Sequence, residues 1–131
     1  MTRTASYELE SPFPCEIKNG ENIIINMDMA PPKDGWNNQG KLRLQGVNSL
    51  KDFKFSVVFN DCSLQKTNDV SEPYSNSYIN HGQNKILNGK KEDWQSWILP
   101  VKLAVNGNNK IEIKLEQGTN VSLIFLDVAI S

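Results

Sequence analysis

The stretch DWQSWILPVKLAVNGNNKIEIKLEQG, residues 93–118, decides the fold. Within it, Ile111, Ile113 and Leu115 alternate with Lys110, Glu112, Lys114 and Glu116. That period of two belongs to a strand with one buried and one wet face. A helix would carry those charges into the core. Upstream, Trp97 and Leu99 share a face, and Pro100 restricts the ladder there to an edge or a strand end. Asn106-Gly-Asn-Asn109 supplies residues that tolerate positive φ, so the stretch reads as a strand, a turn at Gly107 and a second strand, a central hairpin.

Working outward, Gly20 opens ENIIINMDM, where Ile23, Ile25 and Met27 face one way and β-branched density favours a strand. KLRLQG alternates cleanly, which predicts Leu42 and Leu44 inward and Lys41, Arg43 and Gln45 outward. FKFSVVFNDCSLQK predicts a hairpin with Phe53, Phe55, Val57 and Phe59 on the core face and Asn60-Asp61 at the turn. VSLIFLDVAI is apolar on both faces apart from Ser122 and Asp127, as a central sandwich strand would be. The two prolines of SYELESPFPCEI forbid a helix interior and suggest a segment along a sheet edge. Short strands separated by turn signals, with no amphipathic helix, give an all-β fold: an antiparallel β-sandwich of the jelly-roll kind. The 16 asparagines sit singly or in pairs between strands, where they serve turns.

At 131 residues the chain is read as a single domain, 1–131. A chain of this size buries roughly two thirds of its unfolded surface, enough for a core without staples. Fourteen basic against fifteen acidic side chains give a net charge of -1. With no basic run, nucleic acid has no electrostatic footprint here. The longest apolar runs, Ile23–Ile25 and Val121–Leu126, fall short of the ~20 residues of a membrane helix, so no membrane insertion is expected. MTRTASYELES has no apolar h-region, so no signal peptide is read in this chain. Cys15 and Cys62 match no zinc or redox spacing; they either close one loop or remain free thiols. Asn120-Val-Ser122 has the form of a glycosylation sequon, informative only in an extracellular eukaryotic context.

The order of signals from Lys41 onward resembles the galactose-binding-like β-sandwich domains that accompany glycoside hydrolases. KLRL, the VVFN hairpin with Leu64, Trp97-Ile-Leu-Pro100 leading to AVNGNNKIEIKL, and the closing LIFLDVAI carry the likeness. The resemblance implies a non-catalytic accessory domain, a carbohydrate-binding module or a support for a catalytic domain, excised from a bacterial multidomain enzyme that is extracellular or periplasmic. Binding members of such families commonly hold a structural calcium through acidic residues near both termini. Glu8, Glu10 and Asp127 are the matching candidates, against a requirement of six or more oxygens. No other cofactor is implied.

No catalytic constellation competes with this. No acidic pair stands apart from a solvated strand face, as a glycosidase would need. His81 has no metal-spaced partner and no nucleophile motif beside it. Sugar binding is the sharper expectation, because exposed aromatics stack on pyranose C–H faces while amides match the hydroxyls. The longest irregular region, residues 67–92, holds Tyr74, Tyr78 and His81 and leads to Trp94, which together form the candidate carbohydrate site. Trp36 with Asn37 and Asn38, in the turn-rich loop 30–40, forms the alternative. Strand parity places the two groups at opposite ends of the sandwich. A poly- or oligosaccharide and the parent's catalytic domain are the expected partners. The competing reading is a spacer or protein-interaction domain, favoured if all three tryptophans are buried.

Overall fold

The structure, a computed structural model, describes residues 5–9, 13–31, 33–69 and 90–130. In chain order the strands are β1 (Ala5–Leu9), β2 (Cys15–Lys18), β3 (Asn22–Met29), β4 (Gly40–Gly46), β5 (Lys54–Phe59), β6 (Cys62–Ser63), β7 (Gln65–Thr67), β8 (Trp94–Leu99), β9 (Gly107–Gln117) and β10 (Asn120–Ile130). Only two 3-10 turns, Lys91–Asp93 and Val101–Leu103, interrupt them among the described residues. The larger sheet runs β1-β10-β4-β8-β7, with β2 also paired to β10, and the smaller runs β3-β9-β5-β6. All pairings are antiparallel, and the two sheets pack as a β-sandwich. β10 is the spine of the larger sheet. Its one side takes β1 against Leu126–Ile130 and β2 against Asn120–Leu123, so the proline-rich N-terminal segment follows a sheet edge as expected.

The core follows from the alternation. Ile25, Met27, Phe55, Val57, Phe59, Ile111, Ile113 and Leu115 of the smaller sheet meet Leu42, Leu44, Trp97, Leu99, Leu126 and Val128 of the larger. Burial of each such side chain contributes about 1.5–3 kcal/mol. In β9 the charged positions between the buried isoleucines stay half-buried or exposed, the two-faced pattern the sequence shows. At the β5–β6 hairpin Asn60 and Asp61 have φ of 48° and 69°. A two-residue turn with both central residues left-handed is the type I′ form that matches strand twist.

The structure departs from the sequence reading in two places. First, β8 and β9 do not form a hairpin: β8 pairs with β4 and β7 in one sheet, β9 with β3 and β5 in the other. The connection crosses the end of the sandwich instead. Pro100 denies the ladder a donor, the 3-10 turn follows, and Val101, Leu103 and Ala104 pack against the core as they cross. Two side-chain amides, Asn109 buried and Asn60 half-buried, hold the crossing in place. Asn109 accepts from the Val105 N–H at 2.9 Å and donates to the Val105 and Gly107 carbonyls at 2.9 and 3.1 Å. Asn60 Nδ2 donates to the Leu103 carbonyl at 2.8 Å and to Asn109 Oδ1 at 2.9 Å, while Asn60 Oδ1 accepts from the Lys110 N–H.

Second, Lys41, Arg43 and Gln45 point away from the core as expected, yet all are buried. Cross-strand register puts them on one face with Trp94, Ser96, Phe125 and Asp127, because directly opposed residues share a face. Arg43 donates from Nε to Asp127 Oδ1 at 3.0 Å and from Nη2 to Oδ2 at 2.6 Å. Its guanidinium lies 4.6 Å from the centroid of Trp94, whose ring meets Phe125 edge-on at 5.9 Å. Lys41 Nζ pairs with Asp69 at 2.8 Å. Alternation reports polarity, and here polarity and exposure part company.

Cys15 and Cys62 are free thiols. They lie on strands at opposite flanks of the sandwich, since β1 and β2 flank β10 on the side where β1 meets β3, whereas β6 is the far edge of the smaller sheet. No helix among the described residues is long and apolar enough to cross a membrane.

Candidate functional site

Trp94 opens β8 directly after the Lys91–Asp93 turn, whose entry is closed by the Lys90 N–H donating to Asp93 Oδ2 at 3.0 Å. The Glu92 carbonyl accepts from the Leu50 N–H at 2.7 Å, tying this turn to loop 47–53. Gln95 tightens the junction: its Nε2 donates to the Leu50 and Phe53 carbonyls at 2.7 and 2.8 Å. Between these segments and the end of β7 opens a cleft of about 530 Å³, with Lys51, Phe53, Lys66, Lys91, Trp94 and Gln95 in its walls. On the other side of Phe53 is a smaller hollow of about 360 Å³, lined by Glu16, Val47, Asn120 and neighbours.

The candidate residues fall out as follows. Trp94 borders the cleft but is only 8% exposed, sandwiched between Arg43 and Phe125, so little of its ring is open for stacking. Tyr74, Tyr78 and His81 lie outside the described residues. Trp36 is half-buried and packs against the core. Asn37 and Asn38 beside it are exposed, and Asn37 Nδ2 reaches the Gly35 carbonyl at 3.5 Å. Trp97 is 1% exposed, a core residue. Loop 30–39 joins the strand ends at Met29, which opposes Gly107, and Gly40, which opposes Leu99. Trp94 is therefore at the other end from Trp36, as strand parity requires.

For calcium, the one candidate whose side chain is described is already engaged. Both carboxylate oxygens of Asp127 accept from Arg43 at a position 1% exposed. A cation there would have to displace a guanidinium. Glu8 opposes Asp127 in the strand register, its side chain undescribed, and Glu10 lies outside the described residues. No group of three or more His, Cys, Asp or Glu gathers among the described residues.

Sequence reasoning missed Lys51, Phe53, Lys66, Lys91 and Gln95 as neighbours. They come from loop 47–53, the three-residue strand β7, the 3-10 turn and the start of β8, with no local motif to link them. Burial raises the Cys15 thiol pKa and lowers that of the Lys66 ammonium, the latter 5.9 Å from the centroid of Trp97.

No protein-family profile matches the chain, and no curated protein is similar to it. Among solved structures the chain is similar to BpGH86A, a β-porphyranase of glycoside hydrolase family 86 from the human gut bacterium Bacteroides plebeius, with TM-score 0.59 and 14% identity over 98% of this chain and 20% of that one. It is also similar to BuGH86 in complex with neoagarooctaose, with TM-score 0.56 and 11% identity over 96% of this chain and 19% of that one. The chain thus spans about a fifth of the length of the structures it resembles. At such identity the shared property is the fold: an antiparallel β-sandwich that also occurs as one part of much longer chains.

Proposed function

We propose that this chain is a non-catalytic β-sandwich accessory domain, 1–131, of a larger bacterial glycoside hydrolase acting outside the cytoplasm. The observation that carries the reading is the asymmetry of the likeness, 98% of this chain against 20% of a glycoside hydrolase. Two of its three tryptophans are buried and Trp36 is half-buried, which favours support of the catalytic domain over sugar stacking. Trp97 is in the core, Trp94 is enclosed by Arg43 and Phe125, and Trp36 packs on the core from its loop. A polar, modest interface with the parent's catalytic domain is the form such within-chain contacts take.

The test uses the parent enzyme and the domain in parallel. The domain alone is expected to release no reducing sugar from the parent's polysaccharide, and deleting it from the parent is expected to lower the parent's unfolding temperature by several degrees, as loss of a few kcal/mol of docking would. Hydrolysis by the isolated domain would sink the non-catalytic reading. An unchanged unfolding temperature would sink the supporting role.

A further inference from the structure

We propose that the end of the sandwich built from loop 30–39 and the crossing 100–106 is the face that docks on the catalytic domain of the parent enzyme. The identity of the partner rests on the accessory-domain reading; the surface goes beyond it.

Strand register brings this end together. β3 pairs with β9 and β4 with β8, so loop 30–39, which joins β3 to β4, and the crossing, which joins β8 to β9, bridge the two sheets between the same neighbouring strands. The Asn60-Asp61 turn is at the same end, since Phe59 opposes Ile111 near the start of β9. β1 begins there and β10 finishes there, because Ala5 opposes Ile130. Ile130 in turn lies against Gly40, where loop 30–39 re-enters the sheet; a Cβ on Gly40 would fall 3.0 Å from the Ile130 Cβ. In a longer chain the connections on both sides of the domain therefore leave from this end. A tether holds a neighbour at high effective concentration against the surface beside its root.

The chemistry of the surface points the same way, independently. Trp36, Val101, Leu103 and Ala104 pack on the core while part of each stays open, and Val105 beside them is 45% exposed. Exposed Asn37, Asn38 and Asn106 border them, and exposed Lys33 and Lys102 are matched in number by exposed Asp34 and Asp61. Open apolar groups within a polar, charge-balanced border are what contacts between domains of one chain present. The rest of the described surface differs. Lys110, Glu112, Lys114 and Glu116 fill the outer side of β9, and the outer face of the larger sheet is already buried along Lys41, Arg43 and Asp127. The Trp94 end exposes Lys51, Lys66 and Lys91, whose desolvation against a neutral partner would be costly. Two other large hydrophobics are exposed among the described residues, but Ile24 lies opposite Glu112, and Val47 shares its hollow with Glu16 and Asn120. Only Val105 continues an apolar run.

The experiment is hydrogen exchange read by mass spectrometry, on the parent enzyme and on the isolated 131-residue chain, with thermal unfolding of both. Amides of 30–39 and 100–106 are expected to exchange roughly tenfold more slowly in the parent than in the isolated chain, and those of 47–53 at the same rate in both. Val105→Glu is expected to remove most of that protection and to lower the parent's unfolding temperature by several degrees, whereas Ile24→Glu and Val47→Glu change neither. In the isolated chain all three variants should melt with the unaltered one, because these side chains already meet water. Protection confined to 47–53 or to β9 overturns the assignment, and this comparison needs no variant to fold. So does Val105→Glu without effect in a parent that deletion of the domain destabilises. The same protection in the isolated chain, rising with its concentration, would give the face to a second copy instead. If deletion changes nothing and no segment is protected, the supporting role itself fails and the docking face with it.

Discussion

Asp127→Ala is expected to lower the unfolding free energy by about 3–5 kcal/mol, the usual cost of removing one partner from a buried ion pair. The pair is bidentate, at 3.0 and 2.6 Å, and the side chains of Arg43 and Asp127 are only 8% and 2% exposed. Loss of the carboxylate strands a guanidinium that water cannot readily reach. Adding Arg43→Met to Asp127→Ala removes that charge and is expected to recover much of the loss, since the methionine stem can still lie against Trp94. Urea unfolding with an unchanged slope checks both. A single-variant loss under about 1 kcal/mol would place Arg43 in contact with bulk water and contradict the burial of this face.

Asn109→Ala is expected to cost about 3 kcal/mol by unmaking the crossing between the two sheets. Asn109 is fully buried and its amide serves the Val105 N–H, the Val105 and Gly107 carbonyls and Asn60 Nδ2 together. Alanine takes the amide partner from the Val105 N–H and from the Val105 and Gly107 carbonyls, while Asn60 Nδ2 keeps only the Leu103 carbonyl. Asn109→Asp is the sharper variant, because it keeps the volume but turns a donor toward two carbonyls into an acceptor. It should be less stable at neutral pH than at a pH low enough to protonate the new carboxyl. Equal stability of Asn109→Ala and the parent chain in thermal unfolding would show that Val101–Leu103 and the apolar contacts of the crossing suffice alone.

These two sites also show where reading the residues stops. KIEIKLE declares β9 because its alternation matches burial position by position, and LIFLDVAI declares an interior strand because both faces are apolar. The Asn60-Asp61 turn was legible from residue types that tolerate positive φ. The sheet to which β8 belongs was not legible, because a strand followed by Asn and Gly reads alike whether the chain folds back or crosses over. Nor was the burial of Lys41, Arg43 and Gln45, since their polarity is the same whether they meet water or Asp127, Asp69 and Trp94. Asn109 looked like turn chemistry and proved to be an interior hydrogen-bonding post opposite Met27. The cleft was hidden for a different reason: Lys51, Lys66 and Lys91 are far apart in the chain and meet only through tertiary structure.

Stability and site meet in β8. Its outward Trp94 belongs to the Arg43–Asp127 assembly, its inward Trp97 to the core, and Gln95 between them braces the loop that forms the cleft wall. A domain arranged in this way has little tryptophan surface left for stacking on a neutral sugar. Iodide quenching of tryptophan fluorescence in the intact chain, before and during titration with neoagarooctaose, tests that directly. The account predicts blue-shifted emission, weak quenching and no saturable change on adding the neutral sugar. Strong quenching together with a saturable response abolished by Trp94→Ala or Trp36→Ala would contradict it and establish a tryptophan platform for glycan.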